Sequence, residues 1–499
     1  MTDNFKNLKE YLDKLSLYGY ATSLMYWDMV TTMPGEGFAL NSDATTFFST
    51  EDFKLSTDSE LLKLIDELLV PEKYETLADY EKFIVKKMKK QFVENSRVPV
   101  DFYEEMVRAR SESEIAWQEA KQKSDFSLFA PHLRKMIDYS KKYYSYIRPG
   151  TDPYEEMLFD HEEGMDSATI DRLFADLKAE LIPLVKKILA AKEPDDSKFK
   201  RKYNIDCERR VQKELLSYIG FKWERGSVGE TEHPFTLNFS SKDVRVTNHF
   251  REENAIDPMF SAIHEGGHAI FEQNVNPEYD NTPAGSCEYM GIHESQSRFY
   301  ENVLGRNKNF WIPVYSKIQE LQPEFADVSL DEFYREINHI RNSLIRTEAD
   351  EVTYGLHIII RYEIEKAIFR DGVDVDELPA LWNAKMREYL DVEPDSDATG
   401  ILQDMHWSDG SFGYFPSYLL GSIYDGMYLD KITEELGDVD TILREGRILE
   451  ITKWLNEKIH RFGSTRVPKE VIENVCGKPV SAEPLCRYFK KKYTELYNL

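Results

Sequence analysis

The pentapeptide His264-Glu265-Gly266-Gly267-His268 constrains this chain more than any other stretch, because histidines four residues apart act together only on a helix. There both imidazoles lie on one face and can point at a single metal ion, with Glu265 beside them. Asp257-Pro258 predicts where that helix starts: Asp257 as N-cap and Pro258 in the first turn, about two turns ahead of His264. Gly266 and Gly267 each cost a helix interior about 1 kcal/mol relative to Ala, so something must approach the backbone closely or a neighbouring helix must pack tightly there.

A catalytic zinc takes three protein ligands and keeps one position open for water, so the histidine pair needs a third partner. Glu272, Glu278, Glu288 and Glu294 are the acidic candidates. Glu272 lies about 12 Å along the helix axis from His264 at a rise of about 1.5 Å per residue, too far to share the ion easily. Glu294 sits in Gly-Ile-His-Glu-Ser-Gln-Ser-Arg-Phe-Tyr (291–300), which reads as a second helix able to pack across the first. Asn276-Pro277, Thr282-Pro283 and Gly285 supply the turn between them. His264, His268 and Glu294 are therefore the predicted metal ligands; the competing reading is a solvent-facing Glu294 paired with Arg298 at i,i+4. A bound ion would acidify its water and polarise a scissile carbonyl, with Glu265 taking the water proton and passing it to the leaving amine. Zn2+, one per chain, is the chemical preference, and Co2+ or Mn2+ also suit a His/His/Glu set.

Further motifs follow in order: His233-Pro234-Phe235; Asp243-Val244-Arg245-Val246-Thr247; HExxH; His293-Glu294-Ser295-Gln296; Ile345-Arg346-Thr347-Glu348-Ala349-Asp350; and Gly400-Ile401-Leu402-Gln403-Asp404-Met405-His406-Trp407. Trp27-Asp28, Met33-Pro34, Glu163-Gly164-Met165 and Gly413-Tyr414-Phe415-Pro416 extend the pattern towards both ends. In this combination the chain resembles the carboxypeptidase Taq family of metallocarboxypeptidases over essentially its whole length. The resemblance implies a mainly α, gluzincin-type fold with a deep central groove and a small β-sheet near the active site. It also implies a divalent metal, a homodimer, and release of single residues from peptide C-termini with broad specificity.

A carboxypeptidase must hold a free terminal carboxylate about one residue, roughly 3.5 Å, from the cleaved bond, which calls for a fixed cation. Arg346 is favoured, since a guanidinium grips a carboxylate with two parallel hydrogen bonds and the resemblance points to its motif. An ordinary ion pair with Asp350 is the alternative use of that side chain. Arg245 is second, on a β-like stretch (Phe235 to Phe239, then Val244 and Val246) that could present an edge to an extended peptide. His233, Tyr414 and Tyr418 are candidate donors to the developing oxyanion, with Tyr418 preferred by resemblance. His406 is expected to line the pocket or orient a ligand, with Asp404 as its natural partner. The other readings are an oligopeptidase or endopeptidase without strict need for a free C-terminus, and a metal-stabilised helical binding protein.

Composition sets the surroundings. A formal charge of -27 over 499 residues argues against nucleic acid and anionic membranes as partners. Cys207, Cys287, Cys476 and Cys486 are too scattered for a disulfide scaffold, which suits a reducing cytoplasm. No secretory signal and no membrane-length apolar run is evident. Leu8, Leu12, Leu15 and Leu17, then Leu61, Leu62, Ile65, Leu68 and Leu69, carry helical spacing, and helices are expected almost throughout. The charged segment 190–202 breaks the periodicity. The expected organisation is one domain, 1–499, with an N-terminal helical cap (1–195) and a metal-bearing catalytic subregion (196–499). The Lys-rich runs at 86–90 and 490–492 read as solvated helix faces.

Overall fold

Helical periodicity decides most of the chain. The computed structural model describes residues 1–285 and 287–499, and among these the regular structure is helical apart from a three-stranded sheet. The seven helices used below are α1 (Lys6–Thr31), α2 (Phe38–Ser56), α3 (Ile205–Ile219), α4 (Ile256–Gln273), α5 (Met290–Arg298), α6 (Thr353–Lys366) and α7 (Phe415–Leu436).

Leu8 and Leu12 of α1 are buried in a small core with Phe5, Leu61, Ile65, Ile84 and Val85, which Ala284 closes from the chain that follows α4. Leu15 packs at its margin, whereas Leu17 lies off that face and is 68% exposed. Most of the other buried apolar side chains form one large core reaching from Ala109 to Tyr493. Segment 190–202 runs between the helix Ser167–Leu189 and α3, and is pinned by buried Phe199.

The strands are β1 (Gly226–Glu230), β2 (Thr236–Ser240) and β3 (Asp243–Asn248), ordered β1-β3-β2. β3 pairs parallel with β1 and antiparallel with β2, so β2 has a free edge. Its register slips between Asn238 and Ser240, leaving Phe239 as a bulge. β2 packs on α4, and α1 lies near it through Tyr20 against Phe239 and Tyr26 against Phe235. A cavity of about 390 Å³ opens where α1, the end of β2 and the 280–285 turn meet.

Two expectations need correcting. Asp257 does not cap α4; the Asn254 side chain accepts from the Ile256 and Asp257 amides, so the cap falls two residues before the helix and Asp257 sits inside its first turn. The Lys runs are not uniformly solvated. Lys87 lies 2.6 Å from Glu288 in an ion pair, and half-buried Lys492 pairs with buried Glu351, because long apolar stems let some residues of a charged run turn inward towards a carboxylate. The four cysteines are buried, free thiols, and no helix among the described residues is long and apolar enough to cross a membrane.

Glu162 shows what the large core does to a carboxyl. It accepts from the Gly291 amide (3.0 Å), Ser417 Oγ (3.3 Å) and Tyr424 Oη (2.6 Å), yet burial outweighs these donors and raises its pKa to about 7. The folded protein therefore keeps this proton to higher pH than the unfolded chain does. Stability is lost as pH rises from about 4.5 through about 7. The loss amounts to about 2–4 kcal/mol for this one group. Denaturant titrations at pH 5 and pH 8 should show this difference shrinking by that amount in Glu162→Gln, and an unchanged difference would show that Glu162 does not carry it.

Candidate metal centre and active site

The two glycines of the motif are explained by packing. A methyl group on Gly267 would stand 2.7 Å from the Gln296 carbonyl oxygen and 2.8 Å from Ser297 Cα, so α4 and α5 touch backbone to backbone. On the opposite side, one on Gly266 would meet the Ile219 and Leu216 side chains of α3 at 2.6 and 2.8 Å. The close approach brings the Glu294 carboxylate to the histidines: its Oε2 lies 3.8 Å from His264 Nε2 and 3.6 Å from His268 Nε2. All three donor atoms lie within 4.8 Å of one another. Donors sharing a tetrahedral zinc at about 2.0–2.2 Å stand roughly 3.3–3.6 Å apart, so small side-chain movements would bring these three residues onto such an ion.

The surrounding groups hold these donors in place. Glu294 Oε1 accepts from Arg298 Nε at 2.7 Å, and the Arg298 guanidinium lies 4.0 Å from the centre of the Tyr354 ring. The i,i+4 pair anticipated as an alternative to metal ligation is present, but it uses Oε1 and leaves Oε2 facing the histidines, and Glu294 is buried rather than solvent-facing. Burial works against its charge, but Arg298 and the two histidines outweigh burial and hold the carboxyl well below the usual range. After α5 the chain winds into a π-helical turn, Phe299–Leu304, which carries Glu301 back towards the site. His264 Nδ1 meets Glu301 Oε2 at 2.8 Å. Burial opposes charge on His264, yet Glu301 and Glu294 prevail and raise its pKa to about 9; for His268 burial wins and lowers it to about 3. His268 Nδ1 meets His293 Nδ1 at 2.6 Å, and His293 Nε2 meets Glu272 Oε1 at 2.8 Å.

Glu265 is buried, and Thr236 Oγ1 at the start of β2 donates to its Oε2 at 2.6 Å. Burial raises its pKa above the ordinary carboxylate value, the direction a proton acceptor working near neutrality needs.

A second cluster gathers the anchor candidates. Arg346 does not pair with Asp350, which instead accepts from the Val352 and Thr353 amides at the start of α6. Arg346 donates to Asp404 Oδ1 through Nε (3.0 Å) and Nη2 (2.8 Å), while Arg361 Nε donates to Asp404 Oδ2 at 2.6 Å. Gln403 Oε1 accepts from the Arg346 amide (2.9 Å) and Arg361 Nη2 (2.7 Å). Two guanidiniums thus share one carboxylate and leave a buried positive charge, with Tyr418 5.2 Å from the Arg346 carbon. Arg245 differs, forming a one-to-one pair with Asp243 (2.9 and 2.7 Å) and lying against Phe239 and Trp27. Asp404 is therefore hydrogen-bonded to the two arginines and not to His406, on which it acts only through its charge. His406 packs among Tyr414 and Phe415 with Nε2 3.3 Å from Tyr418 Oη, and burial lowers its pKa to about 4. His233 is exposed between β1 and β2, three residues before Thr236.

Thr236, Glu301 and Arg361 escaped the sequence reading as functional residues, while Glu272 was weighed only as a metal ligand and Arg298 only as an ion-pair partner of Glu294. Of the three that escaped, Glu301 carried a usable signal, being seven residues beyond Glu294 and hence on the same helical face.

The arrangement is that of a metal-dependent peptide hydrolase. The carboxypeptidase Taq (M32) metallopeptidase family model matches residues 7–493. The chain is 42% identical over 496 residues to carboxypeptidase 1 of Bacillus subtilis (strain 168), covering 99% of each chain. It superposes on the M32 carboxypeptidase of Deinococcus radiodurans R1 with a TM-score of 0.96 at 30% identity, covering 100% of both chains. A Pyrococcus furiosus carboxypeptidase gives a TM-score of 0.94 at 33% identity, with 99% of each chain covered. The chain belongs to the carboxypeptidase Taq (M32) family and is a metal-dependent carboxypeptidase.

The α4–α5 contact makes a direct forecast. Gly267→Ala should cost about 1–3 kcal/mol by overpacking backbone against backbone and should weaken binding of a divalent metal as well. Gly266→Ala, facing movable side-chain ends, should cost less. Thermal unfolding and chelator competition on both variants check this; equal effects would contradict the helix contact as the determinant.

Proposed function

We propose that His264, His268 and Glu294 hold one zinc ion and that Glu265 is the general base of a broad-specificity C-terminal exopeptidase. The convergence of the three donor atoms within 4.8 Å, beside a buried Glu265, carries this reading. A zinc ion bound there supplies an acidified water and polarises the scissile carbonyl; Co2+ and Mn2+ suit the same donors.

Glu265 Oε2 takes the water proton and delivers it to the departing amine, with the Thr236 hydroxyl keeping the carboxylate in position between the two transfers. Arg346 receives the terminal carboxylate of the peptide. Its charge is only half neutralised, because Asp404 is shared with Arg361, whereas the Arg245–Asp243 pair is closed upon itself. Arg245 then serves the wall of the peptide groove beside Trp27 and Phe239. Tyr418 and His233 are the oxyanion donors, and His406 and Tyr414 shape the pocket for the terminal side chain; the Tyr418–His406 contact and the stacking of His406 on Tyr414 support the grouping of Tyr418, His406 and Tyr414, while His233 is assigned by family resemblance. The free edge of β2 receives the extended peptide by backbone pairing. The protein works as a cytoplasmic homodimer, each chain one domain in which 1–195 caps the catalytic subregion 196–499.

Two measurements test the reading. A peptide with a free C-terminus should be shortened stepwise from that end in a mass-spectrometric time course, while its C-terminal amide should lose most turnover; equal rates would reject the anchor. Glu265→Gln should keep stoichiometric zinc by elemental analysis yet lose roughly 10²–10⁴-fold in kcat, the usual worth of a general base. Activity surviving that change would remove Glu265 from the role.

A further inference from the structure

Glu272 and His293 lie outside the metal triad and take no part in the proton transfers, yet they form a continuous polar line to one of its members. Glu272 is almost fully buried on α4, two turns beyond Glu265. One of its oxygens accepts from the Asn238 side-chain amide on the free-edged strand β2, and the other meets His293 Nε2 at 2.8 Å. His293 Nδ1 then meets His268 Nδ1 at 2.6 Å. His293 and His268 are further joined by ring packing, with centroids 4.6 Å apart.

The proton positions along this line follow from acceptor chemistry. A carboxylate only accepts, so a neutral His293 must place its proton on Nε2 and leave Nδ1 as an acceptor. A neutral His268 must then donate from Nδ1, which leaves the lone pair on its Nε2. That atom is the one 3.6 Å from Glu294 Oε2. Had Glu272 been an amide, its NH2 could bond His293 Nε2, reverse both rings and protonate the nitrogen facing the metal position.

We infer that His293 and Glu272 are positioning residues that fix the tautomer and orientation of His268, and that Asn238 ties this relay to the peptide-binding edge of the sheet. The inference rests on the triad proposed above. Because His293 immediately precedes Glu294, a single turn of α5 presents one metal ligand and orients another. His264 is served differently, by direct contact with Glu301. The two imidazoles thus depend on separate carboxylates, and the longer relay alone reaches the strand where a peptide would lie.

The test measures zinc affinity on the full chain by competition with a chromogenic chelator, together with the visible d–d spectrum of the Co2+-loaded protein. Asn places its oxygen near the position of histidine Nδ1, and Gln places its amide near Nε2. His293→Asn should therefore retain the acceptor for His268 and lose the Glu272 contact, while His293→Gln does the reverse. We expect His293→Ala and His293→Gln to weaken zinc binding by about 10–100-fold and to alter the Co2+ bands, with His293→Asn recovering a clear part of the loss. Glu272→Gln should weaken binding several-fold although it is nearly isosteric. Circular dichroism of the metal-free variants separates these effects from misfolding, and Glu272→Gln carries the test if the His293 variants fail to fold. Zinc affinities within twofold of the unsubstituted protein, or His293→Asn no better than His293→Ala, would overturn the relay. His268→Ala distinguishes the two levels: unchanged zinc affinity there would remove the triad itself, whereas lost binding there with intact His293 variants would remove the relay alone.

Discussion

The proposed metal centre depends on one contact, the touching backbones of α4 and α5 at Gly267. Two histidines on one helix become a three-ligand site only if a third donor comes within a few ångströms, and a side chain at Gly267 would keep the second helix away. The same approach buries Glu294 and draws Arg298 and Glu301 in with it. Burying these charges is unfavourable unless each finds a partner, and here each does: Glu294 with Arg298, Glu301 with His264 and Arg298. Packing geometry and electrostatics are therefore one constraint, since either helix displaced would leave unpaired charge in the core.

The proposed carboxylate anchor answers a different problem. A chain with a formal charge of -27 is poorly disposed to bind a carboxylate anywhere on its surface. Placing two guanidiniums on one aspartate creates a local positive charge, and burial strengthens its field. Gln403 fixes the spacing of the pair, since its single side-chain oxygen accepts from both Arg346 and Arg361 while its amide donates to the Leu344, Thr399 and Gly400 carbonyls. The Gln-Asp step of the last motif thus acts as a template for two arginines from different elements.

Legibility varied with the range of the interaction. The helix bearing His264 and His268, the second helix bearing Glu294 and the strand bearing Arg245 could all be read from spacing, because 3.6- and 2-residue periods are local properties. The family could be read too, because several ordered motifs repeat its pattern. Thr236 could not be assigned to Glu265, nor Glu272 to His293, because those partnerships join residues that no local period relates. Local reasoning also misassigned some groups. Asp404 was expected beside His406, and Asp350 stood as the alternative partner of Arg346, on sequence proximity alone, yet both aspartates serve other partners in the fold.

Taken by itself, the amino-acid sequence determined the helical architecture, the residue types able to hold a divalent cation and the family to which the chain belongs, because these reside in short-range spacing and in motif order. Tertiary structure alone decided which carboxylate faces which imidazole, which arginine keeps spare charge and how β2 reaches His268 through Asn238, Glu272 and His293. The reason is physical: a buried polar group must be paired, and the partner it finds is whichever one the packing of distant segments brings within hydrogen-bonding distance.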